Sequence, residues 1–206
     1  MYKLQNNINT MINGFFAQFK VLVGKPVYKT LSNKVVLQIP YFVPKLSNGN
    51  TLNSLLTENK LSALGSAITQ QFKSTEGFHC KVEIRFIRLG YPYLNCAILA
   101  QYIAMNGNKY SFTRLQKGLF NKVPTICMSS ALPADALPSL LIGIKIELAG
   151  RLVTQRGNPR KTVNNSHIGS FLVSRFRTKS GMMVDSSLDF SQYASKNKLG
   201  AYTMKI

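Results

Sequence analysis

The chain has 206 residues, 45% of them hydrophobic, which suffices for one ordinary core or for two small packed units. Its charge is lopsided, with 26 Lys and Arg against 7 Asp and Glu and a net charge of +19. Such a chain repels itself in the compact state, so a polyanion that supplies the counter-charge best explains it, and nucleic acid is the first inference. An anionic membrane is the second, and a protein that is cationic for no functional reason is the third.

The sequence argues against a membrane protein. The longest apolar stretch, Val123 to Ile142, contains Asp135 and three prolines, whereas a spanning helix needs about 20 apolar residues without such interruptions. The sequence also contains no basic amphipathic helix long enough to anchor the chain at a membrane surface. The N-terminal residues also lack a convincing signal-peptide cleavage site and the arginines of a typical transit peptide. We therefore predict no membrane partner.

Neither a metal site nor a catalytic site is predicted. Cys80, Cys96 and Cys127 are odd in number and widely spaced, which argues against a disulfide framework and favours a reducing compartment. They form no CxxC pair, and His79 and His167 lie far apart, so no metal and no cofactor is expected. The seven acidic residues are scattered, and no Gly-rich phosphate loop or nucleophile motif occurs. We predict that the protein is not an enzyme, a nuclease being the enzymatic alternative.

The first ninety residues predict an arm followed by a strand, a helix and a second strand. Residues 1–33 are polar with a short apolar patch, and we expect a partly extended arm. The run KVVLQIPYF, Lys34 to Phe42, predicts a strand, and the alternation from Cys80 to Arg88 predicts another that pairs with it. Between them, apolar residues at intervals of three and four predict a helix whose inner face carries Leu61, Leu64, Ile68 and Phe72.

After a break at residues 90–92, the pattern predicts two helices and then a sheet. The second of these helices spans about Ser111 to Asn121, with Arg114 and Lys117 as neighbours on its exposed face. The last third predicts strands at residues 144–149, 171–177, 182–190 and 199–206. The fold class is therefore α+β, with a mostly antiparallel sheet in the C-terminal part. The first of the two helices has a predicted apolar stripe of Leu94, Ala97, Ile98, Tyr102 and Met105.

The sharpest electrostatic feature is the interval between Glu147 and Asp185, which has no acidic residue. Five of the chain's eight arginines lie there, and the planar guanidinium fork suits phosphate. The middle of the interval, QRGNPRKTVNNSHIG, predicts a flexible polar loop that becomes ordered against an RNA backbone, the alternative being an idle, solvated loop. The candidate RNA-binding residues are Arg114 and Lys117 on the helix and, in this interval, Arg151, Arg156, Arg160, Lys161, Arg175, Arg177 and Lys179.

Several runs of the chain resemble one known family. The run GIKIELAGRL, which begins at Gly143, resembles the GIKVxxSGRL signature of the universal small-subunit ribosomal protein three family. Upstream, RLGYPYLNCAILAQYIAMNGNKYSFTRLQKGLF resembles the family's strand end, helix and SFRRAMKxA segment. Downstream, Leu188–Asp189–Phe190 resembles its IDY, and the strand that ends Met204–Lys205–Ile206 resembles its YGxxGVKV ending. The resemblance is collinear from about Cys80 to Ile206.

The resemblance implies a KH-like RNA-binding module before the C-terminal domain. The GxxG loop of that module is missing, because no GxxG occurs in the chain. Since those glycines let phosphates approach the backbone closely, their absence indicates a degenerate module. The predicted organisation is an arm at residues 1–33, a degenerate KH-like unit at residues 34–90 and an α+β C-terminal domain at residues 91–206.

The missing GxxG loop, together with many Lys and Asn residues, resembles the mitochondrially encoded fungal members of the family. The resemblance implies a structural role in the mitochondrial matrix, in the head of the small ribosomal subunit. The implied partners are small-subunit rRNA, mRNA at the path by which it enters, and neighbouring small-subunit ribosomal proteins. Arg114 and Lys117 match the second Arg and the Lys of SFRRAMK, while Thr113 replaces the first Arg. The alternative function is a free-standing RNA-binding protein, such as an RNA chaperone or splicing helper.

Overall fold

The protein folds into two compact units, Met1–Pro92 and Tyr93–Ile206. Both contain helices and strands, and in the second unit the helices precede all the strands, which confirms the α+β class. The structure is a computed structural model, and it describes residues 2–31, 34–44, 57–76, 81–123, 141, 143–155, 157–158, 160–169 and 188–206.

The first unit has a central strand, β3 (Lys34–Phe42), with neighbours on both sides. Strand β4 (Lys81–Arg88) pairs with it in parallel, and a parallel pair requires a crossover between the strands. Helix α2 (Glu58–Glu76) lies in that crossover, which confirms the predicted strand, helix and strand. Strands β1 (Leu22–Val23) and β2 (Val27–Thr30) pair antiparallel with the other edge of β3.

Residues 2–30 differ from the partly extended arm that the sequence predicts. Tyr2–Ala17 forms helix α1, and residues 22–23 and 27–30 join the sheet as β1 and β2. The prediction missed α1 because its outer face is filled with Asn, a poor helix former, so that packing rather than propensity stabilises the helix. The Tyr28 hydroxyl of β2 donates to Asn9 Oδ1 of α1 at 2.8 Å. The apolar face of α1 is buried in the core and consists of Leu4, Ile8, Ile12 and Phe16.

The core of the first unit lies between the helices and one face of the sheet. Alternate residues of β3, beginning at Val35, are buried in it, and alternate residues of β4, beginning at Val82, pack against it. Helix α2 contributes Leu64, Ile68 and Phe72, which are three of the four residues predicted for its inner face. The opposite face of this sheet therefore carries the remaining residues of the strands.

In the described part of the second unit, two α-helices accompany a four-stranded antiparallel sheet. Its sheet confirms the predicted antiparallel arrangement and has the order β6-β5-β8-β7. The elements are α3 (Cys96–Gly107), α4 (Phe112–Phe120), β5 (Gly143–Ala149), β6 (Val163–Gly169), β7 (Gln192–Asn197) and β8 (Gly200–Lys205).

Helix α3 begins after Asn95, whose side-chain Oδ1 accepts the backbone N–H groups of Ala97 and Ile98 at 3.1 and 3.2 Å. The predicted apolar stripe of this helix is wrong in part, because Leu94 and Met105 are exposed. Since apolar residues occur on most sides of α3, periodicity does not define the buried face, and packing on the sheet decides it. The buried residues are Ile98, Leu99, Ala100, Ile103, Ala104 and Gly107.

Two of the predicted C-terminal strands are confirmed, as β5 and β8, and their alternate residues from Ile144 and from Tyr202 are buried. Residues 171–177 and 182–187 lie outside the described residues, and Leu188–Phe190 forms no strand. The loop prediction is wrong for Val163–Gly169, which is strand β6. Strands β6 and β7 were not predicted because they are polar strands at the two ends of the sheet order, and backbone pairing with β5 and β8 holds them.

Candidate RNA-binding surface

Helix α4 is amphipathic, and its cationic side is exposed. Phe112, Leu115 and Leu119 are partly buried and pack against the core of the second unit. Arg114 and Lys117 lie on the opposite, exposed side, three residues apart and therefore on adjacent turns. The structure thus brings these two predicted residues together on one surface, and their binding to RNA stays a prediction.

Arg114 has an aromatic neighbour that the sequence analysis missed. Its guanidinium carbon lies 5.0 Å from the centre of the Tyr110 ring, which is a cation–π contact. Tyr110 is 39% exposed, so the pair lies on the protein surface, where such a contact is worth about 0.5–1 kcal/mol. The contact restricts the guanidinium to one region above α4. The signal that could have found it is the aromatic residue four positions before the arginine.

The chain around α4 supplies no negative charge to neutralise these cations. No acidic residue occurs between Glu83 and Asp135, and Lys109 and Lys122 are exposed just before and just after α4. In the part of the chain that the structure describes, the carboxylates of Glu83 and Glu147 form ion pairs, and neither pairs with a residue of α4. Within the described ranges, the exposed face of α4 is therefore positive and forms no ion pair with Glu83 or Glu147.

The turn after β5 is held by Arg151, one of the predicted RNA-binding residues. Its Nη1 donates to Asn158 Oδ1 at 2.6 Å, and its Nη2 donates to the carbonyl of Gly157. The side chain of Asn197, at the end of β7, donates to the Arg151 carbonyl at 2.7 Å. The Arg151 guanidinium is thus engaged inside the turn, which it closes across six or seven residues of chain.

The same turn lies against the start of α4, since Thr154 Oγ1 donates to the carbonyl of Tyr110 at 3.5 Å. Arg160 and Lys161 are exposed at the end of the turn, just before β6. Four predicted residues, Arg156, Arg175, Arg177 and Lys179, lie outside the described residues. We call the helix face and the turn together the α4–turn surface, which consists of Tyr110, Arg114, Lys117, Arg151, Arg160 and Lys161.

Other kinds of site find little support in the described ranges. They contain no group of three His, Cys, Asp or Glu side chains placed to hold a metal ion. Of the residues weighed for a metal, His167 is exposed on β6, whereas His79, Cys80 and Cys127 lie outside the described residues. The described helices also include none that is long and apolar enough to cross a bilayer.

Comparison with known proteins reveals the family. The family model described as mitochondrial ribosomal protein (VAR1) matches residues 21–206, which is most of the chain. The chain belongs to the VAR1 family of mitochondrial ribosomal proteins. A relative from Mycosarcoma maydis, small ribosomal subunit protein uS3m, is 35% identical over 190 residues. The match covers 89% of this chain and 66% of that relative, so the chain spans about two thirds of the relative's length.

These similarities confirm the family that the sequence motifs predict, a mitochondrial member of the small-subunit ribosomal protein three type. They also confirm the mitochondrial ribosome as its location and a structural rather than an enzymatic role for the family. The VAR1 match begins at Val21, so it includes all the strands that the structure describes and helices α2, α3 and α4.

Proposed function

We propose that this VAR1 protein is a structural constituent of the mitochondrial small ribosomal subunit and that it binds rRNA through the α4–turn surface. The observation that carries the proposal is the exposed Arg114–Lys117 face in a stretch of chain without acidic residues. RNA phosphates supply the counter-charge that the protein lacks, and the release of counter-ions from RNA drives the association.

The parts of the surface have different roles in this proposal. Arg114 and Lys117 contact phosphates from the rigid helix, and the Tyr110 ring restricts Arg114 before RNA arrives. Arg151 braces the turn that carries Arg160 and Lys161, so less conformational entropy is lost when these two bind. Arg156, Arg175, Arg177 and Lys179 belong to the same acid-free interval and are proposed as further contacts.

The partners follow from the resemblance between the Ser111–Lys117 run and the family's SFRRAMK segment. We assign the exposed face of α4 to the path by which mRNA enters the subunit, with rRNA and neighbouring small-subunit proteins around it. Thr113 is exposed where the family has its first Arg, so one cation is missing from this face. Since each lost phosphate contact weakens binding, the grip on incoming mRNA is weaker than the family pattern gives.

The first unit is proposed to be the degenerate KH-like module. The strand β3, helix α2 and strand β4 follow one another as such a module requires, whereas the GxxG loop is missing from the sequence. In this proposal the first unit has kept a scaffold role and has lost the loop that grips single-stranded RNA.

Sedimentation of a mitochondrial lysate tests the proposed function. The full chain should migrate with the small subunit at high salt, and ribonuclease should release it. A chain in which Arg114, Lys117, Arg160 and Lys161 are all replaced by Gln should associate less firmly and dissociate at lower salt. Migration of the wild-type chain as a light, salt-labile species would overturn the proposal and favour the free-standing RNA-binding protein.

A further inference from the structure

Among the described residues, α1 and α2 pack on one face of the sheet of the first unit, and no helix of this unit packs on the other face. Because side chains alternate along a strand, the residues between the core positions of β3 and β4 point away from α1 and α2. The register extends this face to β2, where Lys29 is paired with Val36 of β3. We call it the open face, and its charged residues are Lys29, Lys34, Lys81, Glu83 and Arg85.

Residues that are paired across adjacent strands form a row, and strand pairing brings these charges into neighbouring rows. Lys34 of β3 lies beside Lys81 of β4, and Glu83 lies in the next row. Glu83 binds two cations, with Oε2 at 3.0 Å from Lys34 Nζ and Oε1 at 2.6 Å from the Nε of Arg85. The hydrogen bonds from Arg85 and Lys34 lower the pKa of Glu83, so it is ionised at neutral pH. Both carboxylate oxygens of Glu83, the one acidic residue on this face, are therefore already bound to cations.

The open face retains a positive excess of four cations against one anion. Lys29 and Lys81 are exposed, and among the described side chains neither has an acidic partner. Like charges on directly paired residues, such as Lys34 and Lys81, destabilise a sheet unless another charge offsets them. The positive excess that Glu83 leaves, held on three paired strands, favours an external polyanion.

We propose that the open face is a second RNA-binding site, on which Lys29, Lys81 and Arg85 contact phosphates. Lys81 and Arg85 are about 13 Å apart along β4, since a strand rises about 3.3 Å per residue, and Lys29 lies two strands away. Such a spread suits an extended polyanion better than one small anion. The rows that hold these cations have no aromatic side chain for base stacking, so the site contacts the backbone without sequence preference.

The site deepens the proposed function and rests on it, because the RNA is that of the ribosomal particle. It gives the first unit a way to contact rRNA that does not need a GxxG loop. The alternation of Lys81, Glu83 and Arg85 on β4 is visible in the sequence, but Lys29 joins them only through the pairing of β2 with β3.

Lysine reactivity in intact mitochondrial ribosomal particles tests the site directly. Acetylation with an N-hydroxysuccinimide ester, read by mass spectrometry, should modify Lys29 and Lys81 several-fold less than the exposed controls Lys3 of α1 and Lys73 of α2. Ribonuclease should restore the reactivity of Lys29 and Lys81. Equal reactivity in the intact particle would overturn the proposal, and protection that survives ribonuclease would indicate a protein partner and overturn it as well.

A binding measurement separates this site from the proposed function. The full-length Lys29→Gln/Lys81→Gln variant and the Lys3→Gln/Lys73→Gln control lose the same charge. On single-stranded RNA the slope of log K against log salt should become shallower by about 1.4 in the first variant, at about 0.7 per phosphate contact, and change less in the control. Equal slopes in the two variants would overturn the open-face site alone. A wild-type chain that neither binds RNA nor sediments with the small subunit would overturn both proposals.

Discussion

The Tyr202 hydroxyl in β8 donates a buried hydrogen bond of 2.9 Å to the carbonyl oxygen of Ala104 in α3. Helix α3 ends at Gly107, so the carbonyl of Ala104 is among the last four, which have no partner within a helix. The bond satisfies this carbonyl and joins α3 to the final strand. The ring also packs closely on the helix end, because a Cβ at Gly107 would lie 3.5 Å from the Tyr202 hydroxyl oxygen.

We expect Tyr202→Phe to lower the free energy of unfolding of the full chain by about 1–3 kcal/mol, because the buried carbonyl of Ala104 loses its donor. Urea denaturation measures the change. Tyr193→Phe is the matched control, since Tyr193 is 41% exposed and its replacement should have little effect. Equal losses in the two variants would mean that the buried bond contributes nothing of its own.

The helix face of the α4–turn surface gives a second prediction. Arg114→Gln/Lys117→Gln should weaken binding to single-stranded RNA and make the salt slope shallower by about 1.4, because two phosphate contacts are lost. Fluorescence anisotropy at several salt concentrations measures the slope. The Lys3→Gln/Lys73→Gln variant removes the same charge from the helices of the first unit, and an equal change of slope there would mean that only net charge matters.

The sequence predicts the elements whose apolar period is strong and local. In β5 and α4 the inner residues, such as Ile146 and Leu115, recur at the strand or helix period, and both elements are where the sequence predicts them. The polar strands β6 and β7 were missed because their pairing with β5 and β8 is not encoded in their own side chains. Helix α1 was missed for a related reason, since burial of Ile8 and its neighbours outweighs the low helix propensity of its Asn residues.

The residues of the candidate sites also fall into two groups: those that local sequence spacing brings together and those that only the fold brings together. Helical spacing alone places Arg114 and Lys117 side by side, so their juxtaposition could be predicted. The engagement of Arg151 with Asn158, and the meeting of Lys29 with Lys81 on one face, depend on the turn geometry and the strand register. No property of the individual residues predicts either arrangement, because the partners are brought together only by the fold.

Arg151 should act through its shape as well as its charge. Arg151→Lys retains the charge but cannot reproduce the two donors that reach Asn158 and Gly157. We expect amide hydrogen exchange in the turn at residues 151–162 to become faster and RNA binding to weaken at constant net charge. Arg160→Lys is the control, because Arg160 is exposed and its replacement should leave exchange in the turn unchanged. Wild-type exchange in Arg151→Lys would contradict a bracing role.

The Glu83 carboxylate should stabilise the fold and weaken RNA binding. The hydrogen bonds from Arg85 and Lys34 lower its pKa below 4.5, so the folded state favours the ionised carboxylate. Its contribution to stability is therefore present above the unfolded pKa and is lost as the pH falls through the lower folded pKa. We expect Glu83→Gln to be less stable than the wild type at neutral pH, and the difference to vanish in acid. Thermal denaturation as a function of pH measures both.

On the open face, however, Glu83 is the one anion among four cations. Removal of its charge should strengthen RNA binding at neutral pH, even though the fold is weakened, because Lys34 becomes available to phosphates and Arg85 no longer shares its guanidinium with a carboxylate. Glu58→Gln is the matched control: it makes the same change of net charge, at an exposed position in the first turn of α2. A gain in RNA affinity confined to Glu83→Gln places the RNA on the open face, whereas equal gains in the two variants would reduce the effect to net charge.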